Sequence, residues 1–530
     1  MRLGIDFGTT RIVVAAVDRG NYPVVTFDGP DGEARDWFPP LIAVADGQRR
    51  YGWAAWEAGS RAGTTVVRSI KRVLADAGPE TQVVIADQLL PMSRLLAEMM
   101  SELHRALREG SSLDVRAEEP LAAVLGVPAN AHGNQRFLTA EAFRAAGFEV
   151  LGLLNEPAAA AAEFVHAGGR SPTRGRVLVY DLGGGTFDAS LVDVGEAGAE
   201  VVASTGIPTL GGDDFDQCLA ELALEAAGLD EALKEGLEQA ETFRLFEECR
   251  GRKEAIHPNT RSIVVDLGTA REGWSEVKVP AATFFERCRP ALDETMHAVH
   301  DVLAERPGED VDVVYVTGGG SELPLVGRTL REVFGRRLRR SPYSRNAVAI
   351  GLAVRADAQA GYVLRERFHR SFGVWREADG GRSVWMDELF APDTVLPGPD
   401  EPPLVRGRTY RPVHNVGHFR FLECSRCGPD GQPTGDVTLW DEIRFPFDPA
   451  LQDYPDLAAV DVLHSDAASW HEIEERYAVD ASGAVTVEIR NVTAGYGRSY
   501  RLARWAAAQP QLVPGKRRKP AARAPRARKS

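Results

Sequence analysis

The sequence predicts an α/β unit over residues 1–358 and a small antiparallel β unit over residues 371–508, joined by a linker at 359–370. Two observations predict this division. In the first part, apolar strand-like runs alternate with helix-length stretches, which is typical of α/β folds. After about Gly361, short alternating runs follow one another between proline and glycine clusters, which is typical of antiparallel β structure.

The composition excludes several classes of protein. Of the 530 residues, 44% are hydrophobic and 26% are charged, which argues against a chain that is disordered as a whole. The first residues show no basic region followed by an apolar run, and no stretch approaches the ~18 consecutive apolar residues that span a bilayer. The five cysteines are odd in number and scattered, unlike a secreted disulfide framework. We therefore expect a cytoplasmic protein with reduced thiols and no membrane span.

Charge is distributed unevenly along the chain. The net charge is -14, yet residues 516–530 contain eight Lys or Arg and no acid, which leaves 54 basic against 76 acidic residues before them. Proline and alanine make up most of the other residues of this stretch, which has little apolar surface to bury, so residues 509–530 are predicted to be disordered. The tail is a candidate for binding an anionic partner such as nucleic acid, and the alternative is a solubilising or self-screening role.

An internal repeat is the most informative feature of the first part. The run Leu3–Thr10 and the strand-like residues after it align without a gap with Leu178–Gly185, 175 positions later. In both copies an apolar strand ends in an aspartate, Asp6 or Asp181, turns through glycine and small residues, and enters a second strand. Glycine permits positive φ and close approach, so such turns present backbone N–H groups to phosphate. The repeat predicts two lobes whose turns face each other as a phosphate clamp.

A third glycine turn, Gly318–Ser321, follows the apolar run Val311–Val316 and precedes the helix-like stretch Leu325–Phe334. A strand, a glycine turn and a helix in this order are typical of a nucleotide site. Further helices are predicted at Met92–Arg108, Ala140–Ala146, Pro157–His166, Phe215–Ala227 and Phe284–Ala304. In the second part, strands are predicted at Ser383–Met386, Val416–Leu422, Val437–Phe445 and Ala484–Ile489, with a hairpin turn at Asp480–Gly483.

Five ordered motifs together resemble the DnaK family of heat-shock chaperones. They are Gly4–Thr10, Asn155–Ala160, Tyr180–Asp188, Leu210–Asp216 and Ala347–Gly351. The resemblance implies a two-lobed, actin-like ATPase domain around a nucleotide cleft, followed by a β-sandwich that contacts polypeptide. It also implies ATP or ADP with Mg²⁺, K⁺ as a further candidate ion, a polypeptide client and co-chaperones.

The resemblance gives the duplicated turns their roles. Asp6, Asp181 and Asp188 would serve Mg²⁺, a cation that keeps several waters and uses one or two carboxylates. The alternatives are aspartates that cap tight turns and, for Asp188, a solvated strand residue. Phosphate contacts would come from Gly8, Thr9, Thr10, Gly183, Gly184, Gly185, Thr186, Gly211 and Gly212. An ordinary hairpin is the alternative for each turn.

Catalytic roles are predicted for Lys71 and Glu156, together with Asp181 and Thr9. Lys71 matches the family's lysine that reaches the γ-phosphate, where a cation offsets charge in the transition state. A surface helix lysine is the alternative, and Arg72 beside it is a second candidate for the role. Glu156 matches the glutamate that orients or deprotonates the attacking water, and the alternative is a carboxylate at the positive end of a helix.

The adenosine end of the site departs from the family pattern. Lys253 matches a ribose-contacting residue, and Gly318 and Gly319 match the adenosine turn. Glu322, however, stands where the family packs an arginine against the adenine ring, and a glutamate does not replace a stacking guanidinium. Phosphate handling is therefore expected to be intact, with adenine selectivity and affinity in doubt.

The second part also departs from the family. The linker lacks the acid-flanked leucine-rich sequence. The resemblance continues only faintly to about residue 505, and about twenty-five residues follow it, so we expect no helical lid. Cys424 and Cys427 form a lone Cys-x-x-Cys pair downstream of His414 and His418. Buried or turn thiols are favoured over a zinc site here, because no second cysteine pair exists.

The sequence thus predicts a DnaK-like chaperone ATPase that hydrolyses Mg·ATP slowly and uses the nucleotide state to alter a lidless β unit. Two alternatives remain open. One is a nucleotide-sensing scaffold with little ATP turnover, which the altered base site and linker favour. The other is a small-molecule kinase of the same superfamily, which the β-rich second part disfavours.

Overall fold

The computed structural model describes residues 1–75, 77–78, 81–129, 131–167, 175–195, 198–229, 236–305, 310–360, 367–368, 370–378, 383–392, 394–398, 401–481, 483–502 and 511–512. The chain divides into two units. The first comprises Met1–His369, Asp393–Pro402 and Ala481–Gly483, and the second comprises Arg370–Pro392, Pro403–Asp480 and Ala484–Ser530. Most of the predicted linker and nearly all of the predicted basic tail lie outside the described residues.

The first unit mixes strands and helices along its whole length. Its strands are β1 (Arg2–Phe7), β2 (Ile12–Ala16), β3 (Phe27–Asp28), β4 (Ala34–Arg35), β5 (Ile42–Ala45), β6 (Gln48–Tyr51), β7 (Thr65–Val67), β8 (Gln82–Ile85), β9 (Gln88–Pro91), β10 (Ala122–Val127), β11 (Glu149–Asn155), β12 (Gly175–Leu182), β13 (Phe187–Gly195), β14 (Gly198–Ile207), β15 (Ser262–Asp266), β16 (Glu276–Pro280), β17 (Val313–Thr317) and β18 (Leu338–Arg340). Its helices are α1 (Gly52–Gly59), α2 (Ile70–Ala75), α3 (Met92–Glu109), α4 (Gly133–Ala145), α5 (Glu156–Ala167), α6 (Gly212–Ala226), α7 (Gln239–Glu254), α8 (Ala281–Ala304), α9 (Pro324–Phe334) and α10 (Ala347–Ala356).

Two central sheets of the first unit repeat one plan. Their strand orders are β11-β10-β1-β2 and β14-β13-β12-β17-β18. In each sheet, the strand that carries the predicted aspartate forms an antiparallel hairpin with the next strand and pairs in parallel on its other side. The two hairpins also share one register, because Asp6 is opposite Val13 and, 175 positions later, Asp181 is opposite Asp188. The duplication predicted from the sequence is therefore confirmed.

Small residues allow two helices to pack closely between these sheets. The alanines of α5 form a buried cluster with β10 and β11 of one sheet, β12 and β13 of the other, and α10. A Cβ atom added at Gly351 of α10 would lie 1.8 Å from the Ala159 carbonyl oxygen of α5, and one added at Gly4 would lie 2.1 Å from the Ala353 nitrogen. Such contacts exclude any larger residue, so glycine at these positions sets the spacing of the core.

The helices predicted from the sequence are present, most with ends that shift by a few residues. The largest shift is in α4, which begins at Gly133, seven residues before the predicted start. The helix α7 is not among the helices predicted from apolar periodicity, because several of its partly buried residues are charged, and charged residues hide the apolar pattern of a helix. Glu247 and Arg250 of α7 have side chains that are only 20% and 15% exposed, and they pair with each other at 3.1 Å.

The second unit is an antiparallel β-sandwich. Its strands are β19 (Ser371–Ala378), β20 (Ser383–Phe390), β21 (Leu404–Tyr410), β22 (Val416–Cys427), β23 (Pro433–Pro446), β24 (Ile473–Val479), β25 (Val485–Asn491), β26 (Tyr496–Arg501) and β27 (Gln511–Leu512). They form sheets of order β20-β19-β22-β23 and β21-β24-β25-β26-β27. Buried aromatic rings fill the space between the sheets, where the ring centres of Phe421 in β22 and Tyr477 in β24 are 6.1 Å apart. The predicted hairpin is present, with Val479 paired to Val485.

The cysteines of both units are thiols, and the described residues contain no helix long and apolar enough to cross a membrane. Cys424 is buried and donates to the Arg426 carbonyl at 3.1 Å. His418, which precedes this cysteine pair in the sequence, hydrogen-bonds to Glu442. Across the described ranges, no three His, Cys, Asp or Glu side chains are grouped to hold a metal directly. These contacts fit the interpretation of Cys424 as a buried thiol.

Candidate nucleotide site

The two duplicated turns face each other across a cleft of the first unit. A Cβ atom added at Gly184 would lie 2.0 Å from Thr10 Oγ1, and one added at Gly185 would lie 2.5 Å from Thr9 Cγ2. These distances are shorter than van der Waals contact, so only glycine lets the turn after β12 approach the turn after β1. The backbone N–H groups of both turns therefore border one narrow space, which is a suitable arrangement for binding phosphate.

Two further turns complete the cradle. Gly318, which follows β17, has a φ of 83°, and a Cβ atom there would lie 2.3 Å from Asp181 Oδ1. The turn before α6 packs on the turn after β12, because the Gly212 N–H donates to the Gly183 carbonyl at 3.0 Å. Gly211 precedes α6 as its N-cap, and its N–H donates to the Asp214 carboxylate at 2.7 Å. The helix therefore begins at Gly212, three residues before the predicted start.

Most predicted site residues line the cleft between these turns. They are Asp6, Gly8, Thr9, Thr10, Lys71, Glu156, Asp181, Gly183, Gly184, Thr186, Asp188, Gly212, Lys253, Gly318 and Gly319. Gly185 and Gly211 do not line it and instead support the neighbouring turns. Arg72 donates to the Gly185 carbonyl at 2.6 Å and is not among the residues that line the cleft.

A buried ion pair lies at the centre of the cleft. Lys71 of α2 donates to Oε1 of Glu156, the first residue of α5, at 2.6 Å, and the two side chains are 10% and 12% exposed. Lys71 is therefore not a surface helix lysine. Burial opposes its charge, but the negative charges of Glu156 and Asp6 outweigh burial and raise the pKa of the ammonium. Lys71 therefore keeps its positive charge at a fixed place inside the cleft.

Three aspartates surround this pair and give the cleft an excess of acids. Burial, together with the negative charge of Glu156, raises the pKa of Asp6 and of Asp188 to about 7. The pKa of Asp181 is raised well above its usual range by burial and by Glu156, Asp188 and Asp6. These raised pKa values indicate that Lys71 alone does not neutralise the negative charge of the cluster. A bound cation would therefore stabilise the ionised aspartates.

The donor set of the cluster fits a hydrated Mg²⁺ ion. The carboxylates of Asp6, Asp181 and Asp188 are not grouped closely enough for all three to ligate one ion directly. Mg²⁺ in proteins commonly keeps several waters and is held by one or two carboxylates together with phosphate oxygens. The three aspartates are therefore suited to hold Mg²⁺ largely through its waters, and they do not form an all-protein cage.

The helix α7 brings a second group of charges to the cleft. Lys253 Nζ donates to the Gly212 carbonyl at 2.6 Å and pairs with the buried Asp216 at 2.7 Å. Its ammonium thus lies at the turn before α6. Arg250, one turn earlier on α7, pairs with Asp213 at 3.2 Å.

Four charged side chains at the cleft form a connected series of ion pairs. Arg11 donates to Glu254 at 2.6 Å, Glu254 accepts from Arg345 at 2.8 Å, and Arg345 also donates to Glu322 at 2.6 Å. Three of these, Arg11, Glu254 and Arg345, line the cleft itself. The acids at positions 254 and 322 thus have basic partners at positions 11 and 345.

The protein-family model described as Hsp70 protein matches residues 2–368. This chain belongs to the Hsp70 family. Among curated relatives, it is 31% identical over 382 residues to the "Chaperone protein HscA homolog" of Burkholderia pseudomallei (strain 668), covering 68% of this chain and 59% of that protein. It is 32% identical over 375 residues to the "Chaperone protein HscA" of Serratia proteamaculans (strain 568), covering 68% of this chain and 58% of the relative. The matched part thus spans less than two thirds of these relatives.

Family membership confirms the resemblance drawn from the five motifs, and the α/β unit followed by a β-sandwich confirms the predicted fold class. The roles of individual residues in this Hsp70-family cleft stay predictions. Sequence reasoning missed Arg11, Glu254 and Arg345, which line the cleft beside the predicted residues. No local signal in the sequence marks them, because the acids and arginines that pair are far apart along the chain and meet only in the folded structure.

Proposed function

We propose that this Hsp70-family protein binds and hydrolyses Mg·ATP in the cleft of its first unit. The observation that carries the proposal is the pair of facing glycine turns beside a buried cluster of acids with Lys71 among them. The turns offer N–H groups and hydroxyls for phosphate, and the acids favour a cation. These two requirements are those of a magnesium-bound triphosphate.

The turns would position the phosphates. Thr9 and Thr10 supply hydroxyl and N–H donors from one side, and the turn Gly183–Thr186 supplies donors from the other. Because both turns are locked by close packing, a phosphate chain between them is held in one orientation, and phosphoryl transfer depends mainly on such positioning. When bound, Mg²⁺ would neutralise negative charge on the phosphate oxygens.

Lys71 and Glu156 would act on the reacting end of the triphosphate. The Lys71 ammonium is fixed by Glu156 Oε1 and needs no reorganisation to offset charge that develops on the transferred phosphoryl group. We assign the second oxygen of Glu156 to the attacking water, which it would orient or deprotonate. A carboxylate that begins a helix and is held by a buried lysine has little freedom, so the water it binds is fixed as well.

We propose that the second unit contacts polypeptide clients, with or without co-chaperones. A cavity of about 810 Å³ opens in this unit, lined by aromatic side chains that include Trp375, Trp385 and Phe419. Below it, the fully buried Glu475 accepts hydrogen bonds from Arg376 and Tyr410, which holds the cavity wall in place. Aromatic groups next to fixed polar groups are suited to the side chains of an extended segment.

The test of the ATPase proposal is a single-turnover measurement of ATP hydrolysis with purified protein. We expect slow turnover in the unaltered protein and a rate lowered about 100-fold or more in Glu156→Gln, with ATP binding retained. The exposed Glu286 of α8 provides the matched control, Glu286→Gln, which should hydrolyse ATP at the unaltered rate. Equal rates in Glu156→Gln and the unaltered protein would remove the catalytic assignment.

Two other outcomes would favour the alternatives. Tight ATP binding with negligible hydrolysis in the unaltered protein would favour a nucleotide-sensing scaffold, which Glu322 and the altered linker sequence make the leading alternative. Transfer of the γ-phosphoryl group to a sugar in a panel of small molecules would favour a kinase.

A further inference from the structure

Arg345 is held in one orientation at the cleft by two carboxylates. Its Nε and Nη2 both donate to Glu322 Oε2, at 2.8 and 2.6 Å, and its Nη1 donates to Glu254 Oε2 at 2.8 Å. The donors along the edge of the guanidinium are therefore engaged by carboxylates. A guanidinium whose edge is occupied in this way offers its flat faces to other groups, and flat faces are what an arginine uses to stack on aromatic rings.

The supports of Arg345 are themselves fixed. Glu254 is also bound by Arg11 at 2.6 and 2.9 Å, and the Arg11 guanidinium lies 5.0 Å from the centre of the Trp37 ring. Burial alone would raise the pKa of Glu254, but Arg11 and Arg345 lower it to about 2, so the carboxylate stays charged. The stem of Arg345 lies against the third glycine turn, because a Cβ atom at Gly319 would be 3.6 Å from its Cγ.

The position of Arg345 follows from how the cleft is divided. The glycine turns and the acid cluster account for the phosphates and the cation. The lining residues that remain include three arginines, Arg11, Arg250 and Arg345. A nucleoside attached to the phosphates must extend past one of them. Arg11 already lies over the Trp37 ring, and Arg250 is held at the start of α6 by Asp213. Arg345 lies instead against the Gly319 turn, with the edge of its guanidinium engaged by carboxylates.

We propose that Arg345 is the nucleobase-stacking residue of this cleft, with Glu254 and Glu322 as the positioning residues that hold its plane. The proposal rests on nucleotide binding in the cleft, as proposed above. In this arrangement Glu322 contributes to base binding, because its carboxylate holds the stacking guanidinium of Arg345 in place. Stacking favours purine over pyrimidine nucleotides, because the larger ring system covers more of the guanidinium face.

The test compares ligands that have a base with one that has none. Calorimetry would measure the affinities of Mg·ATP, Mg·CTP and magnesium tripolyphosphate for the unaltered protein, Arg345→Ala, Arg345→Lys and Glu322→Gln. We expect Arg345→Ala to weaken ATP binding about 10- to 100-fold, to weaken CTP binding less, and to leave tripolyphosphate binding unchanged. Arg345→Lys should recover little of the loss, since an ammonium has no plane, and Glu322→Gln should have an intermediate effect.

Arg339→Ala is the matched control, because Arg339 is exposed and donates only to the carbonyls of Arg336 and Leu338 among its side-chain contacts in the described residues. Equal ATP affinity in Arg345→Ala and the unaltered protein would overturn the proposal. So would an equal loss for ATP and tripolyphosphate in both Arg345 variants, because that result indicates general damage to the cleft. If the unaltered protein binds tripolyphosphate and not ATP, the result contradicts the proposed base-stacking site and supports the proposed phosphate site. If it binds neither ligand, the proposed function fails as well.

Discussion

Replacing Lys71 by methionine tests how the cleft balances its charge. The substitution keeps the length of the side chain but removes the ammonium that lies 2.6 Å from Glu156 Oε1. Both side chains of this pair are nearly buried, so Glu156 loses its partner without gaining much solvent. Loss of one partner of a buried pair typically costs about 3–5 kcal/mol of stability. We expect about 3 kcal/mol here, because protonation of the cluster absorbs part of the cost.

The effect on catalysis should be of similar size. Removing one preorganised charge or donor from a reacting centre commonly lowers the rate about 10²- to 10³-fold, or about 2.7–4 kcal/mol. Single-turnover hydrolysis at saturating Mg·ATP measures this loss, and thermal unfolding of the ligand-free protein measures the loss of stability. Lys278→Met is the control, because Lys278 is an exposed residue of β16.

A second variant separates the two effects. Lys71→Met combined with Glu156→Gln removes both members of the pair, so no unpaired carboxylate is left at that position. The double variant should therefore be more stable than Lys71→Met alone while remaining inactive, with a coupling between the two sites of about 0.5–3 kcal/mol. A Lys71→Met protein with unaltered stability and unaltered turnover would refute the reasoning, since it would mean that the ammonium neither balances the acids nor acts on the phosphoryl group.

Three further predictions address the turns, the acids and the second unit. Gly184→Ala should weaken Mg·ATP binding at least about tenfold in calorimetry, because the facing turns leave no room for a Cβ atom; Gly251→Ala, where a Cβ atom meets nothing within 4 Å, is the control and should bind normally. Burial and a neighbouring negative charge raise the pKa of Asp188 from 3.8 to about 7, so the folded state holds its proton where the unfolded chain does not, and the stability of the ligand-free protein falls as pH rises from about 4 to about 7. Asp188→Asn should remove up to about 3 kcal/mol of that fall between pH 5 and pH 7.5, measured as the difference in thermal unfolding between the variant and the unaltered protein at the two pH values; identical pH profiles would contradict the assignment. Trp385→Ala should weaken binding of fluorescent model peptides about tenfold, whereas Trp470→Ala, at a residue that is 78% exposed and outside the cavity lining, should not; equal losses would argue against the cavity as the client site.

The duplicated hairpins show what the sequence was able to predict. Two segments, each a strand, a turn and a strand, align in the sequence without a gap. In the structure the two hairpins have identical pairing registers, with Asp6 opposite Val13 and Asp181 opposite Asp188. Local patterns were sufficient here, because strand length, turn glycines and register are all determined within about fifteen consecutive residues. Helices with apolar stripes, such as α3 and α8, were found for the same reason.

The charged side of the cleft shows where prediction from the sequence ended. Arg11 and Glu254 are 243 positions apart, and Glu254 and Arg345 are 91 positions apart, so no local pattern joins them. Glu322 considered alone indicated a damaged base site, whereas the fold supplies Arg345 as its partner. The helix α7 was missed for a related reason, since the partners that make its buried charges acceptable, such as Arg68 for Glu247, come from distant segments. Pairings of this kind become visible only in the folded chain.

A crystal structure of the protein grown with Mg·ADP would test the central claim most directly. We expect phosphate oxygens about 3 Å from the N–H groups of Thr9, Thr10 and Gly184, with Mg²⁺ linked through its waters to Asp6 and Asp181. A cleft that stays empty at saturating nucleotide, or a nucleotide bound away from the facing turns, would contradict it.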